Sequence, residues 1–462
     1  MTFIFYDTET TGLDAGFDQI LQFAAIITDD KLSAIEEVNL RCRLQPHIVP
    51  SPGAFVITGV RPSDVAKADN SHYEMVREIR ALIERHTPAV MVGFNSIGYD
   101  EGMLRQAFYQ TLNPVFMTNT SGNSRMDILK VAHAASEYAP GVLEIPINDK
   151  GRPSFKLALL APANNLTHDD AHEAMSDTIV TLGLARLVRD RAPEVWEGMI
   201  QSRSKQSVLS YLDENEVFCF TDMMFGQPSI VATSIAANLD NSSEIVVFDL
   251  SYDPAPYLDL SELELGKTLR ASPRPFRIVK ANQSPILAQY NPNNARTAQN
   301  HQDLQYMREK VHMIRRHPAF ANNIATATAN RYPPREASEY VEQRIFENFP
   351  SRTDRALMEA FHAQPWIERF DIVKRFEDDR LRELGQRLIY VECPNVLTAD
   401  DCQRYDAWKQ FRFHTDEDVP WLKIDGAYRE LAALRHSDEG TQVSLLEDIE
   451  THLEQLSTMS ER

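Results

Sequence analysis

Asp7 and Glu9 stand two positions apart at the end of the apolar run Phe3-Ile4-Phe5-Tyr6, just before the turn-forming Thr10-Thr11-Gly12. Side chains alternate faces along a strand, so both carboxylates project the same way. Like charges held side by side repel unless a cation neutralises them, and the pair is therefore a candidate for divalent metal. The chain carries 67 Asp and Glu, so an Asp-x-Glu can also be a solvated pair at a strand end. An apolar lead-in and a turn-forming exit favour a central strand that delivers its last residues to an active-site edge.

Two later segments add residues of matching chemistry. The run Ala89-Val90-Met91-Val92-Gly93-Phe94 predicts a strand, and Met103, Leu104, Phe108 and Leu112 recur at helical spacing, which puts Asp100 where strand and loop hand over to a helix. Farther on, Ile179, Leu182, Leu184, Leu187 and Val188 predict a second helix, with Asp169 or Asp170 available as N-cap. His172 then falls near the first turn and Asp177 one to two turns along. His168 reads as an ordinary histidine, because nothing in the sequence pairs it with another ligand.

The order Asp-x-Glu, Asp, then His with Asp five residues later resembles the DEDD exonucleases, in the subclass that uses a histidine base. The stretches Gln22-Phe23-Ala24-Ala25-Ile26, Pro52-Gly53-Ala54-Phe55-Val56-Ile57-Thr58-Gly59, Asn123-Ser124-Arg125, Pro153-Ser154-Phe155 and Ala171-His172-Glu173-Ala174-Met175-Ser176-Asp177 are similar to bacterial exodeoxyribonuclease I. So are Ser284-Pro285-Ile286-Leu287-Ala288-Gln289 and the C-terminal third, and the resemblance spans nearly the whole chain. It implies processive 3′ to 5′ hydrolysis of single-stranded DNA to 5′-mononucleotides, in repair and recombination. In-line cleavage of a phosphodiester needs an attacking hydroxide, shielding of charge at phosphorus and a stabilised leaving oxygen, which two divalent ions can supply together. Asp7, Glu9, Asp100 and Asp177 would hold two magnesium ions, or manganese in their place. His172 would take the proton of the attacking water, since imidazole as a type titrates near neutrality.

By position in matching motifs, Glu9, Arg105, Phe155, Lys156 and Lys205 are the expected contacts to single-stranded DNA, basic groups tracking phosphates and aromatics stacking bases. Outside its motif Phe155 would read equally well as a core aromatic. Two residues depart from the family pattern: Lys156 replaces a common Arg, and Met126 a common Trp. Lys keeps the charge but loses bidentate phosphate recognition. The resemblance also implies a protein partner, the acidic, Phe-ended tail of the single-stranded-DNA-binding protein, with Gln289, Arg315 and Arg316 as its site. The same arginines could instead meet DNA.

The elements that must position these residues follow from composition and charge. At 462 residues with 43% hydrophobic content, the chain has room for about three ordinary globular domains. The first, residues 1–192, alternates strands and helices and is expected to be an α/β domain; the resemblance makes it ribonuclease-H-like with a mixed sheet. Residues 193–336 hold short β-rich runs, Ser229-Ile230-Val231-Ala232, Ile245-Val246-Val247-Phe248 and Phe276-Arg277-Ile278-Val279, with a turn stretch at 238–242. These suit a small barrel, Src-homology-3-like by resemblance, followed by a loop at 291–294 and a helix through Arg316. After the break at 332–334, residues 337–462 are expected to be a helical domain, with helices at 336–349 and 353–361. The family's second and third domains would arch over the first and enclose the strand.

The formal net charge of −20 is unevenly spread. Residues 267–316 carry ten Lys and Arg against two acids, whereas residues 337–462 carry 16 against 27. Phosphate binding depends on the field at the contact surface, not on total charge, so the first of these segments is a candidate contact, with a solvated basic face as the plain alternative. No apolar stretch approaches the roughly 18 residues of a membrane span, and the N-terminus lacks the basic region of a signal peptide. Cys42, Cys219, Cys393 and Cys402 show no Cys-x-x-Cys spacing, which fits a reducing cytoplasm without structural zinc. A monomeric exonuclease on single-stranded DNA is the expected function. An exoribonuclease or proofreading subunit would share every catalytic residue but is usually little more than the first domain, and a non-cutting DNA-binding adaptor would not need the intact acidic set.

Overall fold

The computed structural model describes residues 1–168, 172–223, 229–291, 303–333, 336–437 and 443–460. Five strands, β1 (Thr2–Thr10), β2 (Ile20–Thr28), β3 (Ala34–Arg41), β4 (Ala89–Gly93) and β5 (Ser124–Asp127), form a sheet in the order β3-β2-β1-β4-β5. β1 pairs antiparallel with β2 and parallel with β4, so the sheet is mixed as expected. Alternation along β1 feeds two cores. Phe3 and Phe5 pack with the helices Ile128–Tyr138 and Ala174–Arg191, while Ile4 and Tyr6 pack with His72–His86 and Asp100–Gln110. A sheet covered on both faces also explains why β2 is apolar almost throughout and buried along its whole length.

A second sheet is wholly antiparallel. β6 (Phe218–Thr221), β7 (Ile230–Ala237), β8 (Glu244–Asp249), β9 (Phe276–Lys280) and β10 (Ile286–Gln289) run in the order β10-β6-β7-β8-β9. The predicted runs coincide with β7, β8 and β9, and Asn238 closes the turn between β7 and β8 by donating its backbone N–H to Glu244 O. The helix Leu304–Arg315 follows, with Arg316 at its C-cap, and then Pro318–Ala329. Residues 292–294 of the predicted loop, Arg296 of the basic segment and Pro334 of the predicted break lie outside the described residues.

The C-terminal part is helical, from Arg352–Ala363 to Val443–Ser460. One expectation is corrected here: residues 336–349 do not form a helix, and among the described residues this stretch has only the 3-10 turn Val341–Arg344. Tertiary bonds overrule the local pattern. Tyr109 Oη donates to Val341 O at 3.0 Å, Gln106 Nε2 to Glu342 O at 2.9 Å, and the buried Glu342 carboxylate takes Arg387 at 2.8 Å and Arg412 at 3.3 Å. The C-terminal part also grips the first sheet's helices through His362, which bridges Tyr73 Oη and Leu112 O, and through Glu430, which accepts from Ser51 and Gly53. Among the described residues no helix is long and apolar enough to cross a membrane.

Candidate active site

Asp7 and Glu9 project from β1 on the face covered by the helix Ala174–Arg191, where the β1 to β2 register shifts between Glu9 and Thr10 and the strand leaves its ladder. Asp100 opens the helix Asp100–Gln110 and is fixed across the β1 to β4 seam, its Oδ1 accepting from Thr8 N at 3.1 Å and Thr8 Oγ1 at 2.6 Å. Burial, together with Asp100, Asp177, Glu9 and Glu173, pushes the Asp7 carboxyl well above its usual range. Burial first, then Asp177, Asp100 and Glu173, lifts Glu9 to about 9. Burial lifts Asp100 to about 7 against the opposing hydrogen bonds from Thr8.

Among the described residues no three His, Cys, Asp or Glu side chains close into a cage for one ion, although the acids face one another closely enough to disturb each other's titration. The two observations agree physically. Two of the like-charged carboxylates are turned onto local donors, Asp100 onto Thr8 and Asp177 onto a histidine, so the set does not close on a single point. A buried set of oxygen donors of one sign fits a hard divalent cation, and Asp7, Glu9, Asp100 and Asp177 are the residues that could hold it.

The segment before the last acid differs from expectation. Asp177 lies in the first turn of Ala174–Arg191, and the N-cap is Glu173, which accepts from Ser176 N at 3.0 Å. Asp169 and Asp170, the predicted caps, lie outside the described residues. His172 precedes the helix instead of joining its first turn; it is exposed, left-handed at φ 66°, and donates its backbone N–H to Asp177 Oδ1 at 3.3 Å. The reading of His168 as unpaired is also corrected. Its ring is buried, and Nε2 lies 2.6 Å from Asp177 Oδ1. Its side-chain partner is nine positions along the chain, a spacing that the sequence did not mark as a pair.

Two further groups escaped the sequence reading. Asp127 caps the helix Ile128–Tyr138 through Leu129 N at 3.0 Å and also accepts from Asn95 N at 2.8 Å and Ile97 N at 3.3 Å, which clamps the loop leading to Asp100. An Asp between a strand and an apolar helical run was the available signal. The buried Glu101 carboxylate gathers Tyr6, Thr118, Arg105 and Arg125, and Arg125 also donates to Asn282 O at 2.6 Å, tying this helix to the β9 to β10 turn.

The predicted DNA contacts are spread over the molecule. Arg105 is half-buried, paired with Glu101 at 3.3 Å and lying 5.2 Å from the Phe116 ring centroid. Phe116 also meets Phe346 and Phe349, which are 63% and 80% exposed, an aromatic group assembled from distant parts of the chain. Phe155 stacks on His133 with centroids 3.7 Å apart, Lys156 is exposed at the N-cap of Leu157–Ala163, and Lys205 Nζ donates to Ser242 Oγ at 2.7 Å. Met126 is fully buried in the core. Gln289 is exposed at the end of β10, and Arg315 and Arg316 are exposed at the end of Leu304–Arg315, with Arg315 paired to Glu216.

Residues 4–185 match the family model of an exonuclease, residues 203–329 that of the exonuclease I SH3-like domain, and residues 339–456 that of the exonuclease I C-terminal domain. The exodeoxyribonuclease I of Escherichia coli K12 is 27% identical over 479 residues, covering 98% of each chain. The crystal structure of E. coli exonuclease I with a dA16 oligonucleotide superposes with a TM-score of 0.87 at 25% identity, over 98% of this chain and 99% of that one. A structure described as SSB/exonuclease I with the inhibitor CFAM gives 0.84 at 25% identity over the same shares. Three consecutive domain matches of one kind, over a ribonuclease-H-like sheet that gathers four acids, mean that the chain belongs to the exonuclease I family.

Proposed function

We propose that this protein removes nucleotides one at a time from the 3′ end of single-stranded DNA, releasing 5′-mononucleotides, with residues 1–192 carrying the chemistry and residues 193–336 and 337–462 retaining the strand. The observation that carries the reading is the convergence of Asp7, Glu9, Asp100 and Asp177, whose burial and mutual repulsion call for positive charge. Two magnesium or manganese ions bound there would supply charge neutralisation at phosphorus, an acidified water and a stabilised leaving oxygen. Thr8 holds Asp100 in place. His172, exposed beside Asp177, accepts the proton of the attacking water at its ring.

Retention of the strand rests on surface chemistry. Phe116, Phe346 and Phe349 with Arg105 offer stacking faces beside a cation, the combination that holds single strands without reading sequence. Phe155, partly buried and stacked on His133, is a proposed contact to bases, with Lys156 next to it, Glu9 at the terminal nucleotide and Lys205 farther along. Gln289, Arg315 and Arg316 are each exposed on the second part of the molecule and are the proposed docking residues. The acidic tail of a single-stranded-DNA-binding protein is their proposed partner, in keeping with the SSB named in one matching structure. The protein acts as a monomer.

A degradation assay tests the reading. Single-stranded DNA labelled at its 5′ end should be shortened in magnesium and untouched in chelator; a 3′-phosphate should block it and a 5′ block should not. RNA and blunt duplex should be poor substrates. Internal fragments, or equal loss of blunt duplex, would overturn the proposal.

A further inference from the structure

We infer that His168 is a positioning residue that sets the orientation of the Asp177 carboxylate for metal binding. The inference rests on the metal site proposed above. A carboxylate oxygen accepts, so the imidazole Nε2 must carry the proton in its 2.6 Å contact with Asp177 Oδ1. The ring is only 3% exposed, which leaves water little access to compete for the bond, and the short distance is that of a charge-assisted interaction. The His172 backbone N–H falls on the same oxygen at 3.3 Å. Both bonds therefore fix the rotation of the Asp177 side chain without using Oδ2. Asp100 is held in the same manner by two donors from Thr8 on its Oδ1. Acids that repel one another would otherwise rotate apart, and each would have to be ordered when a cation binds, at a cost in side-chain freedom. Hydrogen-bonding partners behind metal ligands usually contribute 10- to 100-fold in metal affinity or activity.

His168 and His172 thereby divide two tasks at the Asp177 carboxylate. The ring of His168 is spent on the carboxylate, while the ring of His172 stays exposed. Only the backbone of His172 touches Asp177, so anchoring Asp177 also anchors the point from which the His172 ring is presented.

The test is Mn2+ binding to the full-length protein, by electron paramagnetic resonance of the free ion, in wild type and in His168→Leu, His168→Gln and His168→Asn. Leu fills a similar volume without a donor, Gln places an N–H near the position of Nε2, and Asn falls short of it. The expected result is a 10- to 100-fold weaker Mn2+ affinity for Leu and Asn, near-wild-type affinity for Gln, and melting temperatures in chelator that match wild type. Wild type and Asp177→Asn are run alongside. If wild-type Mn2+ binding does not depend on Asp177, the metal-site reading itself fails. If it does, equal affinity in wild type and His168→Leu overturns the positioning role, as does a loss that tracks a lower melting temperature in chelator. Should the Leu variant not fold, Gln retaining and Asn losing affinity supports the role, and any other pattern overturns it.

Discussion

The acids of the site share a chemistry but not an environment. Asp7 and Glu9 sit on a strand that ends beside them, Asp100 is pinned by Thr8, and Asp177 by His168. Replacing Asp7 or Asp177 with Asn removes a negative charge from a cluster that suffers from having too many, so folding should be kept or improved. Cleavage should vanish while single-strand binding in chelator persists; measurable turnover of either variant at saturating magnesium would end the metal-ligand assignment. His172→Ala should behave differently. Its ring is exposed, so metal and DNA binding should match wild type while single-turnover cleavage slows by about 10²- to 10⁴-fold. This part of the site was legible because an Asp-x-Glu at a strand end, and a His five positions before an Asp, are statements about spacing. The His168 bond was not legible, because its partner lies nine positions along the chain and no spacing rule pairs the two.

At the scale of elements, the loop that delivers Asp100 depends on Asp127. Its carboxylate accepts three backbone N–H groups, two from that loop and one from the following helix. Asp127→Ala leaves buried donors unpaired and should cost about 1–3 kcal/mol by chemical denaturation. It should also lower turnover more than it lowers strand affinity, because the displaced residue is Asp100. Unchanged kinetics in a destabilised variant would mean that Asp127 serves the fold alone. Local pattern exposed most of these elements: an apolar run before a turn gave β1, and apolar spacing gave the helices around Asp100 and Asp177. It failed at residues 336–349, whose amphipathic pattern is spent on Tyr109, Gln106, Arg387 and Arg412. The first of those contacts spans 232 positions, and no local window holds such a partner. The same distance hid the aromatic group of Phe116, Phe346 and Phe349. Phe346→Ala with Phe349→Ala should weaken binding of a long strand, by about 1–3 kcal/mol per lost base stack, and leave cleavage of a very short oligonucleotide nearly unchanged. An equal loss on both lengths would place these rings outside the strand's path.

At the scale of the whole molecule, the C-terminal helices are seated on the nuclease part through buried histidines. His47 lies against Trp408 with the rings tilted, has Arg412, Arg387, Lys409 and His72 as its charged or titratable neighbours, and is driven well below its usual range by burial followed by those groups. Burial lowers His72 to about 4. Burial likewise brings His362 to about 4, opposed by its bond to Leu112 O. A histidine whose pKa is lower in the folded state binds fewer protons there than when unfolded, so its contribution is intact above about 6.5 and is lost as the pH falls towards about 4. Protonating His72 in place costs on the order of 3 kcal/mol. The acidic cluster has the opposite sign: Glu9, raised to about 9, withdraws stability from the metal-free protein as the pH climbs from about 4.5 towards that value. Melting temperature in chelator should therefore peak near neutrality and fall on both sides. A His47→Gln, His72→Gln double variant should flatten the acid limb between pH 6.5 and 4 and leave the alkaline limb as it was, because it does not touch the carboxylates. An acid limb as steep as that of wild type would move the cause of acid loss away from this interface.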